Sequence, residues 1–172
     1  MNTEDQLASE LIERLAGLEN VCCVKNAVPS MAHQAEVRRR VGDEIVVCDP
    51  DEERFLVGYA HLGMQVHMSS PTPFLYQVPG YTPIRDYYEA AKAGDMEKAA
   101  AINYSLEPLR AVRKKYFTTG PNGRTTAYLK EWTDVLGLPA GGVRPPVVSL
   151  TAAEKRAFRK DLEATGILDK GK

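Results

Sequence analysis

A single lysine at the end of an apolar run has the clearest potential for chemistry in this sequence. Residues 20–26 read Asn-Val-Cys-Cys-Val-Lys-Asn, and their four consecutive apolar residues predict a strand that is buried on both faces. Lys25 then ends this strand, shortly before a helix-forming stretch at residues 31–40. A neutral lysine amine at such a position attacks carbonyl carbons and forms a Schiff base, and burial favours that neutral form. The alternative is a structural lysine whose ammonium group extends into solvent.

The cysteines and histidines do not form a metal-binding pattern. Cys22, Cys23 and Cys48 are the only cysteines, and all three fall in apolar runs. This placement predicts reduced core thiols in a cytoplasmic protein. The adjacent pair lacks the Cys-x-x-Cys spacing of zinc ligands, and the three histidines are scattered along the chain. We therefore expect neither a metal ion nor another cofactor.

The composition is that of a soluble globular protein. The 172 residues are 44% hydrophobic and 26% charged, and the net charge is −1. So small a charge gives no general attraction to nucleic acid or to anionic membranes. No apolar run approaches the roughly 20 residues that span a bilayer, and the polar, acidic start is not a signal peptide. We expect a cytoplasmic protein that binds neither nucleic acid nor membrane.

Strands and helices alternate in the first part of the chain. A helix is predicted at residues 3–17, with Thr3 as its N-cap. Further strands are predicted at residues 44–48 and 64–69, and helices at residues 31–40 and 54–62. Short links join each strand to the following helix. This repeated strand–helix unit implies parallel strands.

The second part of the chain reads as helical. Prolines and glycines become frequent after Ser70, and helices are then predicted at residues 84–93, 96–116 and 125–136. Pro108 should kink or split the second of these. Ser149 or Thr151 caps a last helix that runs through Ala164. The sequence therefore predicts two regions, residues 1–70 and residues 71–172.

The number of strand–helix units is too small for a closed barrel. An eight-stranded (β/α)8 TIM barrel needs about 250 residues, whereas only about three parallel units are present here. We therefore expect an α/β fold that is a partial (β/α)8 TIM barrel, followed by a C-terminal helical extension. Three such strands leave two unpaired edges. Either another chain completes the sheet, or this chain is the C-terminal piece of a larger protein.

The order of the motifs resembles the C-terminal half of the dihydrodipicolinate synthase/N-acetylneuraminate lyase family, which contains class I Schiff-base aldolases and lyases. The resemblance covers nearly the whole chain, from about residue 10 to residue 168. It is carried by Leu-Glu-Asn-Val-Cys-Cys-Val-Lys at residues 18–25, Gly-Asp-Glu-Ile-Val-Val at 42–47, Asp51-Glu52, Leu62-Gly63, Ala-Ala-Lys-Ala-Gly-Asp at 90–95, Val-Leu-Gly-Leu at 135–138 and Val-Arg-Pro-Pro-Val at 143–147.

The resemblance implies roles for four residues. Lys25 matches the Schiff-base lysine at the end of the sixth barrel strand, which reacts with pyruvate or another 2-oxo acid. Asp51 and Glu52 match an acidic pair that binds the sugar-like end of the substrate in the neuraminate lyase branch. Their alternative role is that of helix N-terminal acids. Ser69 matches a substrate-contacting position, and its alternative is a loop serine that caps the next segment. Asn26 is assigned no role.

The sequence also departs from the family pattern. Glycine-rich strand ends are replaced by Asp49-Pro50 and by Gln-Val-His at residues 65–67, and a proline removes an amide donor. This change indicates an altered pyruvate site or a different substrate. The paired threonines, the carboxylate-binding glycines and the proton-relaying tyrosine belong to the family's N-terminal half, which has no counterpart here. The resemblance therefore implies an enzyme that needs a complementary N-terminal half barrel.

Three functions follow from these observations. The first is a lyase or aldolase that acts through Lys25 on a small 2-oxo acid, completed by a complementary half-barrel chain or assembled as a homo-oligomer. The second is a non-catalytic remnant or protein-interaction module that keeps the half-barrel scaffold. The third is a phosphate-ligand binder that uses Arg38, Arg39 and Arg40, whose simpler role is to complement a helix dipole.

Overall fold

The computed structural model describes residues 7–69, 72–117 and 124–171. The predicted cap Thr3 and the start of its helix lie outside these residues. The chain divides into two compact units, Met1–Ser70 and Pro71–Lys172. Among the described residues, no helix has both the length and the apolar character needed to cross a bilayer.

The first unit alternates helices and parallel strands, as the sequence predicts. Its helices are α1 (Ser9–Ala16), α2 (Met31–Val41) and α3 (Glu52–Leu62), and its strands are β1 (Cys23–Lys25), β2 (Val46–Asp49) and β3 (Val66–His67). The strands form one sheet in the order β1-β2-β3, and both pairings are parallel. The α/β class with a three-stranded parallel sheet is thereby confirmed.

Local side-chain chemistry sets the helix boundaries in this unit. The Ser30 hydroxyl accepts a hydrogen bond from the His33 amide at the start of α2. The Asp51 carboxylate does the same for the Glu53 amide at the start of α3. Gly63 ends α3 with a φ of 64°, a left-handed conformation that glycine adopts without steric cost. Both links between strand and helix are therefore fixed close to the carboxyl ends of the strands.

The core of the first unit lies on one face of the sheet. Side chains alternate between the two faces of a strand, so Ile45 and Val47 point in the same direction. They pack with side chains from α1 and α2 in a cluster made of Ile12, Val37, Val41, Ile45, Val47 and Met64. This cluster therefore covers the face of the sheet to which Val47 belongs.

The opposite face of the sheet is largely uncovered, which corrects one prediction. The register pairs Cys23 with Val46, and Cys48 with Val66, so these four residues share a face with Lys25. Cys23 is exposed, and Val46 and Val66 retain 36% and 39% of their accessible surface. The prediction that β1 is buried on both faces was wrong, because within the first unit the cluster formed with α1 and α2 packs on the other face of the sheet.

The cysteine prediction needs the same correction. Cys48, on the central strand, is buried, but Cys22 and Cys23 are exposed. An apolar run in sequence does not by itself say which strand lies at the edge of a sheet. Cys23 lies on the edge strand β1 and Cys22 directly precedes it, so both thiols stay accessible.

The second unit is helical in its described residues, apart from one isolated β-bridge between Val78 and Tyr81. It contains α4 (Pro83–Lys92), α5 (Met96–Ser105), α6 (Glu107–Tyr116), α7 (Thr125–Val135), α8 (Ala152–Ala164) and two 3-10 helices, Thr72–Tyr76 and Ile167–Asp169. Pro108 lies at the start of α6, where the long predicted helix splits. Thr151 caps α8 through a full capping box with Glu154. The buried Trp132 packs against Tyr76 and Phe158 at the centre of the unit.

Candidate active site

Lys25 is the last residue of β1 and lies on the uncovered face of the sheet. It is paired with Cys48 of β2, which is almost completely buried. Burial raises the pKa of the Cys48 thiol, and the nearby charge of Lys25 opposes that shift. The Lys25 side chain is itself exposed. The expected apolar enclosure of the lysine is therefore wrong for this chain, because the face on which Lys25 lies is open.

The backbone that follows Lys25 is held firmly. Asn26 is 5% exposed, and its amide donates to the Cys48 carbonyl over 2.9 Å. Its side-chain amide donates to Gln34 Oε1 over 2.9 Å. Gln34 Nε2 in turn donates to the carbonyl oxygens of Asn26 and Val28, over 2.8 and 3.1 Å. Sequence reasoning gave Asn26 no role and missed Gln34, since neither residue type marks a site by itself.

A buried ion pair fixes the carboxyl end of β2. Asp49 is 1% exposed and receives two hydrogen bonds from the Arg54 guanidinium, Nε to Oδ2 at 2.9 Å and Nη2 to Oδ1 at 2.8 Å. Arg54 Nη1 also donates to the Pro29 carbonyl over 2.9 Å. The Arg54 side chain therefore ties the loop after β1 to the end of β2. Asp49 shares its face with Val47, so it lies on the helix side of the sheet and away from Lys25.

The other predicted site residues also follow the carboxyl ends of strands. Asp51 and Glu52 lie two and three residues beyond the end of β2, and Ser69 lies two residues beyond β3. The Asp51 carboxylate serves as the N-cap of α3, and Glu52 is buried as the first residue of that helix. Ser69 is half-buried. Parallel strands bring all of these positions to the same edge of the sheet as Lys25.

His67 is a residue at this edge that sequence reasoning treated only as a scattered histidine. It ends β3, and its Nδ1 lies 3.2 Å from the Asp49 carbonyl oxygen. Because that oxygen can only accept, Nδ1 carries the proton in the neutral ring. The imidazole packs 5.1 Å from the Phe55 ring, and its Nε2 is buried without a partner. Burial lowers the pKa of His67, and the backbone bond to Asp49 and nearby carboxylates oppose this effect.

Two of the three arginines at the end of α2, Arg38 and Arg40, make structural contacts. Arg38 Nε donates to the Leu62 carbonyl over 2.9 Å, and Nη1 donates to the Gly42 carbonyl. Arg40 pairs with three carboxylates, those of Glu10, Glu13 and Glu36. Arg38 also lines a small pocket of about 90 Å³ at the amino ends of β2 and β3, at the opposite end of the sheet from Lys25. These contacts favour the structural role over a phosphate site.

The described residues contain no group of three or more histidine, cysteine or acidic side chains that could hold a metal ion. The chemistry available at the carboxyl edge of the sheet is therefore that of an amine, Lys25, beside carboxylates, amides and an imidazole.

Comparison with known proteins gives the family. Residues 1–165 match the model of the dihydrodipicolinate synthetase family. A 4-hydroxy-tetrahydrodipicolinate synthase of Halorhodospira halophila is 33% identical over 92% of this chain. A probable 5-dehydro-4-deoxyglucarate dehydratase of Ralstonia nicotianae is 29% identical over 83% of it. The alignments take in 49% and 44% of those two proteins, so the chain spans about half the length of the relatives it matches.

The structural comparison agrees. The crystal structure of the chloride-inhibited dihydrodipicolinate synthase from Acinetobacter baumannii, complexed with pyruvate, superposes with a TM-score of 0.71 at 20% identity. The match covers 94% of this chain and 51% of that one, and it shows that the two share a fold over this length. On the extent of the family match, this chain belongs to the dihydrodipicolinate synthetase family.

Proposed function

We propose that this chain is the C-terminal part of a dihydrodipicolinate synthase-family lyase or aldolase in which Lys25 forms a Schiff base with pyruvate or another 2-oxo acid. The main observation behind the proposal is that Lys25 lies at the carboxyl end of a parallel strand. The chain that carries this lysine belongs to the dihydrodipicolinate synthetase family. In barrels of parallel strands, reacting residues gather at that end. The pyruvate complex of the Acinetobacter baumannii relative supports a 2-oxo acid as substrate.

The proposed chemistry needs no cofactor. The neutral Lys25 amine attacks the 2-oxo carbon, and the resulting carbinolamine takes up one proton from solvent and loses water to give a protonated imine. This cation accepts the electron pair of an adjacent bond, so that an enamine forms when a proton or a carbon substituent leaves the neighbouring carbon. The enamine then attacks a second carbonyl compound or takes up a proton, and water releases the product and the lysine. Atoms and electrons balance without an oxidant or reductant.

The proposal includes a complementary half barrel. The uncovered face of the sheet carries Lys25, Cys23, Val46 and Val66, and the interior of a (β/α)8 barrel is filled by layers of such side chains. Within the described residues, the outer edges of β1 and β3 have no strand partner. By the eight-unit count, a chain of about five strand–helix units would complete the barrel. Two copies of this chain would supply only six strands, so a homodimer alone does not reach the eight strands of the barrel.

The same proposal assigns the surrounding residues. Asp51 and Glu52 contact the sugar-like end of the substrate, since they follow β2, which pairs with the strand of Lys25. Ser69 is a further substrate contact and follows β3, the next strand of the sheet. The enzyme acts in the cytoplasm, where its free cysteines, Cys22, Cys23 and Cys48, stay reduced.

One observation favours a second function, that of a non-catalytic remnant or protein-interaction module. Lys25 is exposed, whereas the proposed reaction works best with an amine that apolar side chains enclose. A scaffold that had lost the reaction would keep the family's fold and the apolar face without an enclosed lysine.

Reductive trapping distinguishes these two functions. The chain is incubated with pyruvate and sodium borohydride, and the site of the adduct is located by intact-mass and peptide analysis. We expect a reduced pyruvate adduct on Lys25 that is absent from the Lys25→Arg variant. The exposed lysine Lys92 provides an internal control, because non-specific modification would label it as well. Absence of a Lys25-selective adduct from a folded sample would contradict Schiff-base chemistry by this chain alone.

A further inference from the structure

A pair of buried amide side chains holds the peptide that follows Lys25. Asn26 and Gln34 are 5% and 0% exposed. One hydrogen bond joins the two side chains, Asn26 Nδ2 to Gln34 Oε1 at 2.9 Å. The other amide end of Gln34 donates to two backbone carbonyls of the loop, those of Asn26 and Val28. Each of these buried amide groups therefore has a hydrogen-bond partner, as buried polar groups require.

The same peptide is also held from the side of the sheet. The Asn26 amide donates to the Cys48 carbonyl over 2.9 Å, so the ladder between β1 and β2 continues for one bond beyond Lys25. The N–H of Asn26 is thus fixed to β2, and its carbonyl is fixed to α2 through Gln34. β1 is a three-residue strand at the edge of the sheet, which gives it few other restraints.

We infer that Gln34, together with Asn26, is a positioning residue for Lys25, an inference that rests on the Schiff-base function proposed above. The two restraints act on the residue directly after the lysine and so fix the direction in which its side chain leaves the strand. Two apolar side chains would fill the same volume without holding the loop carbonyls. Because displacement of a reacting group by about 1 Å costs about 100-fold in rate, release of this peptide slows the attack on the 2-oxo acid.

The test compares two substitutions on helix α2. Gln34→Met removes the hydrogen bonds to the Lys25 loop while nearly keeping the side-chain volume. Arg38→Met is the matched control, because Arg38 also donates to backbone carbonyls, those of Leu62 and Gly42, but at the other end of the sheet. Asn26→Ser is a second, milder variant that removes only the bond between the two side chains. Circular dichroism gives the folded fraction of each protein, to which all rates are normalised.

Two rates are measured across pH 6–10: borohydride trapping of pyruvate on Lys25, and acetylation of Lys25 relative to the exposed Lys92. We expect Gln34→Met to lower the trapping rate at least about tenfold, Asn26→Ser to fall between it and wild type, and Arg38→Met to stay within about twofold. The pH profile of Lys25 acetylation should change in Gln34→Met and not in Arg38→Met. Equal trapping rates and equal profiles in all folded variants would overturn the positioning role.

The two rates distinguish a failure of the positioning role from a failure of the proposed Schiff-base function. If the wild-type protein gives no pyruvate adduct, the Schiff-base function of the isolated chain fails, and acetylation alone decides the positioning role. A Lys25 acetylation profile that changes in Gln34→Met then still supports positioning, and an unchanged profile contradicts it. If Gln34→Met does not fold, Asn26→Ser is compared with Arg38→Met by the same two rates: a change in Asn26→Ser alone supports the positioning role, and no difference contradicts it.

Discussion

His67 is held as a neutral imidazole between a backbone carbonyl and a phenyl ring. Its Nδ1–H donates to the Asp49 carbonyl oxygen, and its ring lies 5.1 Å from the Phe55 ring at an interplanar angle of 48°. Protonation would place a charge in this apolar contact, which is why burial lowers its pKa. The neighbouring Asp49, Asp51 and Glu52 carboxylates act in the opposite direction but do not reverse the shift.

This environment predicts a loss of stability in mild acid. The folded-state pKa of His67 lies below the unfolded value of about 6.5, so the unfolded chain binds the proton more tightly. The stabilisation is complete above about pH 6.5 and declines as the pH falls through that value toward the folded-state pKa. We expect the free energy of unfolding to decrease between pH 7.5 and pH 5 by less in His67→Gln than in wild type. Urea denaturation followed by far-UV circular dichroism measures both.

The glutamine variant is the appropriate control, because its side-chain amide stays neutral and can still donate to the Asp49 carbonyl. Acid-induced protonation of carboxylates elsewhere affects both proteins equally and cancels in the comparison. Identical pH dependence of wild type and His67→Gln would show that His67 does not contribute.

At the scale of elements, the helices could be predicted from sequence more closely than the strands. Ser30 and Thr151 cap α2 and α8 as local chemistry indicates, and Pro108 divides α5 from α6. Helix ends depend on hydrogen bonds within a few residues, which the sequence shows directly. The burial of β1 depends instead on which elements cover its two faces, and no local pattern contains that information.

The same distinction applies to the candidate site: features set by neighbouring residues could be predicted from the sequence, and contacts between elements could not. The position of Lys25 at a strand end could be predicted, because an apolar run and a following helix mark that end. Gln34, His67 and Arg54 could not be assigned, because their partners are backbone atoms and side chains of other elements. The Asp49–Arg54 pair is an example, because Asp49 ends β2 and Arg54 lies inside α3. Arg54 pairs with Asp49 and also donates a hydrogen bond to the Pro29 carbonyl in the loop after β1.

Helix α3 provides a test of the two roles suggested for Asp51. As the N-cap, Asp51 needs only an acceptor for the Glu53 amide, whereas a substrate-binding role uses its negative charge. We expect Asp51→Ser to keep the stability of the wild type within about 0.5 kcal/mol and Asp51→Ala to lose about 1 kcal/mol, because serine retains a capping oxygen and alanine does not. Thermal or urea denaturation of the three proteins measures this difference.

Substrate binding is assessed with the same variants. If Asp51 contacts a hydroxyl-bearing 2-oxo acid, both substitutions should weaken the trapping of such a substrate on Lys25 while the trapping of pyruvate is unchanged. Equal trapping of both substrates in all three proteins would leave Asp51 with its capping role alone.

At the scale of the whole molecule, the exposed side of the sheet is the main structural problem of this chain. Val46 and Val66 lie on the face opposite the cluster of the first unit and are exposed, and within the described residues the unpaired strand edges can hydrogen bond to another chain. Burial of apolar surface contributes roughly 25 cal/mol per Å² to association or folding. Burial of this face by a partner would therefore stabilise the complex, and it would also exclude water from Lys25.

Complementation by a half barrel tests this argument. The chain is mixed with the N-terminal half of the Halorhodospira halophila relative, and the C-terminal half of that relative serves as the control. We expect the N-terminal half alone to form a complex with one copy of each chain, measured by sedimentation. It should slow the labelling of Cys23 by a thiol reagent at least about tenfold, because a buried thiol reacts only through local opening. It should also raise the rate of pyruvate trapping on Lys25.

These readouts separate the possible roles of the exposed face, because they report different consequences of covering it. Protection of Cys23 together with faster trapping means that the partner both covers the sheet and excludes water from the lysine, as the enzyme function requires. Protection of Cys23 without any Lys25 adduct means that the face is an interaction surface and that the chain is a non-catalytic module.

Protection at high concentration of this chain alone, with sedimentation as a dimer, means that a second copy occupies the face. If Cys23 stays reactive in every mixture while both chains remain folded, the half-barrel proposal is wrong.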